Sequence, residues 1–94
     1  MAFKSFEFVV KGTVHGVGFR YFVRELARTE GIVGWVKNDP QGDVIGMAQG
    51  DDTALDKLKK ALRVGPRHAT VTDVEINSEV TVSRLQFTSF EIVR

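Results

Sequence analysis

Cysteine is absent from these 94 residues, which excludes a disulfide framework and thiolate chemistry. Histidine is scarce. His15 and His68 stand far apart with no acidic cluster beside either, so no ligand spacing for a metal ion is visible. An excess of charge is lacking too: 13 Lys and Arg against 12 Asp and Glu leave a net +1, and the basic residues are scattered. Nucleic acid and anionic membranes usually draw on clustered Lys and Arg, so neither is expected as a partner. No apolar run approaches membrane-spanning length, and the opening Met1-Ala2-Phe3-Lys4-Ser5-Phe6-Glu7 lacks the pattern of a signal peptide. The expectation is a cytoplasmic protein without metal or other cofactor. No linker, repeat or low-complexity stretch divides the chain, so residues 1–94 read as a single small domain. A monomer is the simplest state to expect.

What is present is ordinary globular material, 43% apolar and 27% charged, arranged in clear periods. Phe6, Phe8 and Val10 alternate with Glu7 and Lys11, the pattern of a strand with one buried face. Phe22, Val23, Leu26 and Ala27 form a helical stripe, with Arg24, Glu25 and Arg28 on the wet side and Gly31 as a stop. Ile32 to Lys37 and Val44 to Ala48 read as two strands joined through Asn38-Asp39-Pro40-Gln41-Gly42, a hairpin connection longer than two residues.

A second helix is expected from about Asp52 to Val64. Leu55, Leu58, Ala61 and Leu62 share one face, Asp51 or Asp52 can cap the start, and Gly65-Pro66 ends it. Val74 and Ile76 mark a further strand, and Leu85 and Phe87 followed by Phe90 and Ile92 mark a last one. Its phase slips at Thr88-Ser89, which predicts a bulge or bend. The order strand, helix, strand, strand, helix, strand, with one more strand at the end, predicts an α+β ferredoxin-like sandwich. Two helices would cover one face of an antiparallel sheet of four to five strands.

The chemistry concentrates in Lys11-Gly12-Thr13-Val14-His15-Gly16-Val17-Gly18-Phe19-Arg20, between the first strand and the first helix. Glycines let a turn aim backbone N–H groups at an anion, and the helix start adds a positive end. Arg20 opens that helix, where the dipole disfavours a cation, so its placement suggests a grip on phosphate. The stretch continues Gly-Phe-Arg-Tyr rather than Gly-Lys-Ser/Thr and has no glycine near Tyr21, so neither a Walker A loop nor a dinucleotide fingerprint fits. A glycine-rich turn with no ligand remains the plain alternative.

Asn38 ends the second strand and reads either as a turn residue or as a site group. Strands one and three would be central with strand two beside three, which brings the start of the first helix and Asn38 to the same sheet edge. His15 has no orienting carboxylate nearby in sequence, so a loop-shaping or rim role fits better than proton transfer. His68 lies in a polar connection, and Trp35 reads as sheet packing.

Gly12 to Arg20 resembles the first signature of the acylphosphatases, G-x-V-[Q/H]-G-V-x-[F/Y]-R. Gly34-Trp35-Val36-Lys37-Asn38, followed by Gly42, Val44 and Gly50, is similar to their second. The resemblance implies hydrolysis of small-molecule acyl phosphates to a carboxylate and inorganic phosphate, the latter both product and competitive inhibitor. It implies that Arg20 binds the phosphoryl group and Asn38 orients the attacking water. The backbone of His15, Gly16, Val17, Gly18 and Phe19 would wrap the phosphate oxygens. The competing expectation is a ferredoxin-like binding module that senses small phosphorylated ligands, such as carbamoyl or acyl phosphates, or binds RNA without catalysis. The RNA reading lacks closely alternating aromatics and sits poorly with the balanced charge.

Overall fold

Alternation in the first strand sets up the molecule. Phe6, Phe8 and Val10 are all buried on one side of β1 (Phe3–Thr13), and that side carries the core. The structure, a computed structural model, describes residues 2–94. The further elements are α1 (Phe19–Thr29), β2 (Val33–Asn38), β3 (Val44–Gly50), α2 (Asp52–Val64), β4 (Thr70–Val82) and β5 (Phe90–Ile92). The strands form one sheet in the order β4-β1-β3-β2-β5. The first four pair antiparallel, with β1 and β3 central. This is the α+β ferredoxin-like arrangement expected from the element order.

The helices share one face of the sheet and touch each other. α1 lies over β2 and β5, and α2 over β1, β3 and β4. From α1, Phe19, Val23 and Ala27 are buried; from α2, Ala54, Leu55, Leu58 and Leu62. α1 ends as its glycine predicts. Gly31 adopts φ 73°, its N–H donates to Arg28 O, and Ile32 N–H donates to Ala27 O, the two bonds of a Schellman stop. Asp51 occupies the N-cap position of α2, but its side chain makes no capping hydrogen bond.

Three particulars differ from the sequence expectation. The stretch around Leu85 and Phe87 is not strand, and only Phe90–Ile92 pairs. The bend at Thr88-Ser89, by contrast, falls where the slipped apolar phase predicts it. β5 then runs parallel to β2, with Gly34 opposite Phe90 and Val36 opposite Ile92, because the chain crosses the sheet end and returns in the direction of β2. β4 is also long, 13 residues. Its register against β1 shifts twice, once beside Ser78, whose φ is 54°. Extra bulged residues of this kind break up alternation.

Candidate active site

The segment between β1 and α1 is shaped by what it buries. Val14 is 1% exposed and Phe19 is 2% exposed, and Val17 packs partly against the core. The apolar side chains pin the loop, while His15, Gly16 and Gly18 face solvent. Gly16 (φ 71°) and Gly18 (φ 77°) both take the left-handed conformation, which a side chain at either position would oppose. Gly18 is the N-cap of α1. It supplies no capping side chain, the first turn holds no acidic residue, and the first helical bond runs from Phe22 N–H to Gly18 O. Among the described residues, the N–H groups of residues 15 to 19 donate to no other protein group. A run of free amides ending in a helix start is an arrangement that can hold an anion, which makes this loop a candidate cradle.

Sheet register brings Asn38 to this end of the molecule. Val44 of β3 sits opposite Val10 of β1 on one side and opposite Asn38 of β2 on the other. Strand alternation places Asn38 on the face of buried Val36, the helix-covered face. Arg20, the second residue of α1, is half-buried, as is Asn38. Among the described residues neither side chain takes part in a hydrogen bond or an ion pair with the rest of the protein. Arg20, Asn38 and the amides of His15, Gly16, Val17, Gly18 and Phe19 thus belong to one end of the sheet. His68 is exposed after α2, and Trp35 is half-buried in β2.

The turn after Asn38 is closed by Asp39 N–H donating to Asp43 O at 2.8 Å and Gly42 N–H donating to Asp39 O at 3.0 Å. One residue outside the sequence expectation, Asp43, bears on it. The Asp43 carboxylate meets the Lys11 ammonium at 3.3 Å, and that hydrogen bond, with the charge of Asp43, holds the Lys11 pKa above its ordinary 10.5. His15 reaches the same residue, its Nε2 lying 2.6 Å from Asp43 O. An aspartate just after a Pro-Gln-Gly turn carries no periodic signal, so only the folded chain exposes these contacts.

Among the described residues, no three His, Asp or Glu side chains converge as a metal ion requires. No helix there is long and apolar enough to cross a membrane. A hollow of about 440 Å³ lies beside β2 and β5, between Gly34, Trp35, Phe87 and Ser89, and is lined by none of the cradle residues. Depth is not what the cradle needs, because backbone amides at a surface concavity already grip a small anion.

Fold and local geometry together define a ferredoxin-like α+β domain whose glycine-shaped loop, with an arginine and an asparagine at the same end of the sheet, forms a candidate anion site. The acylphosphatase family model matches residues 6–92. An acylphosphatase of Acaryochloris marina is 44% identical over 86 residues, 92% of this chain and 89% of the relative. One of Archaeoglobus fulgidus is 50% identical over 72 residues, 77% of this chain and 81% of the relative. The crystal structure of acylphosphatase from Bacillus subtilis superposes with a TM-score of 0.87 at 35% identity, covering 97% of this chain and 99% of that one. The chain belongs to the acylphosphatase family.

Proposed function

We propose that the protein hydrolyses the carboxyl–phosphate bond of acyl phosphates, with residues 1–94 acting as one domain. Water attacks phosphorus, the bond from phosphorus to the acyl oxygen breaks, and the carboxylate leaves with the bonding electrons. One water proton passes to a phosphoryl oxygen, giving inorganic phosphate. In this reading the amides of residues 15 to 19 and the Arg20 guanidinium hold the three equatorial oxygens and offset the charge that spreads over them. Asn38 holds the water in line. A carboxylate is a good leaving group, so no strong general acid is required.

The observation that carries the reading is the row of N–H groups from His15 to Phe19, without a partner among the described residues and running into a helix start that has no capping side chain and bears Arg20. The reading takes the reaction as metal-independent, with the charge on the phosphoryl oxygens met by Arg20 and the loop amides. The reading takes the protein as a cytoplasmic monomer with a small acyl phosphate as its partner; a net charge of only +1 fits poorly with nucleic acid or an anionic membrane.

The test is release of phosphate from an aromatic acyl phosphate, with and without inorganic phosphate and with and without a chelator. Turnover inhibited competitively by phosphate and indifferent to chelator is expected. Phosphate binding without turnover would instead mark a binding module, and loss of turnover restored by added metal would overturn the metal-free mechanism.

A further inference from the structure

The side chain of His15 does not point into the cradle that its backbone helps to form. Its Nε2 meets the carbonyl oxygen of Asp43 at 2.6 Å. A carbonyl only accepts, so Nε2 carries the proton, and the bond survives whether the ring is neutral or cationic. That nitrogen is therefore committed as a donor and is not free to take a proton from water. The same carbonyl accepts the Asp39 N–H at 2.8 Å, the bond that closes the turn directly after Asn38. The Asp43 carboxylate, in turn, is tied to β1 through Lys11.

Asp43 thus gathers three segments: the end of β1, the cradle, and the turn that follows Asn38. The cradle needs such a tie. Residues 15–18 form no helix or strand, and Gly16 and Gly18, both in the left-handed conformation, have no side chain to anchor them. Burial of Val14 and Phe19 and the packing of Val17 seat the loop on the core, but among the described residues its one hydrogen bond to the turn after β2 is the one made by His15.

We propose that His15 is a positioning residue: by donating to the Asp43 carbonyl it locks the phosphate cradle to the Asn38 turn, so that phosphorus and attacking water keep one separation. This rests on the hydrolytic reading of Arg20 and Asn38 given above. It assigns the imidazole a role distinct from that of the His15 backbone amide. Displacing reacting groups by about 1 Å costs on the order of 100-fold in rate, so loss of the lock falls on kcat. Affinity for phosphate, set by the amides and Arg20, is affected less.

The test compares kcat, KM and inhibition by inorganic phosphate in the wild type, His15→Ala, His15→Gln, Asn38→Ala and the double variant His15→Ala/Asn38→Ala, with an aromatic acyl phosphate as substrate. His15 is exposed, and urea unfolding of each variant checks that the fold is kept. His15→Ala should lower kcat by roughly 10–100-fold, with a smaller change in phosphate inhibition. His15→Gln, whose amide N–H can donate to the same carbonyl, should recover most of that loss. With Asn38 already replaced, His15→Ala should cost little more. Equal losses in both backgrounds, a loss confined to KM and phosphate inhibition, or no recovery with Gln would each overturn the proposal while leaving the hydrolytic function standing. A wild type that released no phosphate would sink the functional reading. The lock itself would still be read from the ¹⁵N resonances of His15, where an unprotonated Nε2 refutes it and a protonated, hydrogen-bonded Nε2 upholds it.

Discussion

Gln49 and Gln86 hold each other twice. The Gln49 side-chain amide donates to Gln86 Oε1 at 2.7 Å, and the Gln86 backbone N–H donates to Gln49 Oε1, also at 2.7 Å. Gln49 is fully buried and its amide also reaches Ser5 Oγ at 3.2 Å. Ser5 lies on the side of β1 opposite Phe6, so this clasp fastens the segment after β4 to the sheet face that the helices leave open.

Replacing Gln49 by Leu strands the buried Ser5 hydroxyl and frees the segment around Gln86. A buried polar group left unpaired costs about 1–3 kcal/mol. Urea denaturation of Gln49→Leu should show a loss of that order, with kcat little changed because the clasp is remote from the cradle. A loss below about 0.5 kcal/mol, typical of a neutral surface change, would mean that other contacts hold the segment.

Arg20 joins stability to binding. In the free protein its charge stands in the first turn of α1 among unpaired amides, an arrangement disfavoured by the helix dipole. Phosphate at about 100 times its dissociation constant should raise the unfolding free energy of the wild type by roughly 2.7 kcal/mol. Arg20→Gln should fold, be no less stable without phosphate, and lose both turnover and most of the phosphate-dependent gain. Equal phosphate stabilisation in the two proteins would assign the grip elsewhere.

Asn38→Ala separates orientation from affinity. An interaction made chiefly in the transition state lowers kcat and leaves ground-state binding in place. Steady-state kinetics should therefore show a strong fall in kcat with competitive inhibition by phosphate preserved. An unchanged kcat would remove the water-orienting role from this residue.

Acid should loosen β5. The Ser89 hydroxyl donates to Glu91 at 2.7 Å; against the opposing effect of burial, that bond, with help from Arg28, holds the Glu91 carboxyl below its ordinary 4.5. A carboxyl whose pKa is lower in the folded state contributes stability at pH above its unfolded value, and that contribution is lost as pH falls through the folded value. Urea midpoints taken well above and well below pH 4.5 should therefore differ less in Glu91→Gln than in the wild type. The same difference in both proteins would show that Glu91 is not linked to folding.

Much of this architecture could be read locally. The period of Phe6, Phe8 and Val10, the stripe of α1 and the stop at Gly31 are each decided within a few residues. The cradle is legible for the same reason, since it lies in one loop between two such elements. What escaped depends on distant pairing. β5 has only three residues and takes its direction from β2, more than 50 positions earlier. Leu85 and Phe87 alternate like a strand, yet their neighbour Gln86 is captured by Gln49 across the open face. The His15–Asp43 bond spans 28 positions with no period to announce it. Phe19 reads as loop because its glycine neighbours dominate, yet it is buried and is the first residue of α1.

The central seat of β1 governs when the candidate cradle can first take its final shape. As a nascent chain leaves the ribosome, β1 and the cradle appear early, but both edges of β1 wait for partners, residues 44–50 on one side and 70–82 on the other. Such distant closures are entropically costly and come late. Phosphate affinity measured on chains truncated from the C-terminal side should therefore rise only once β4 is included and docked.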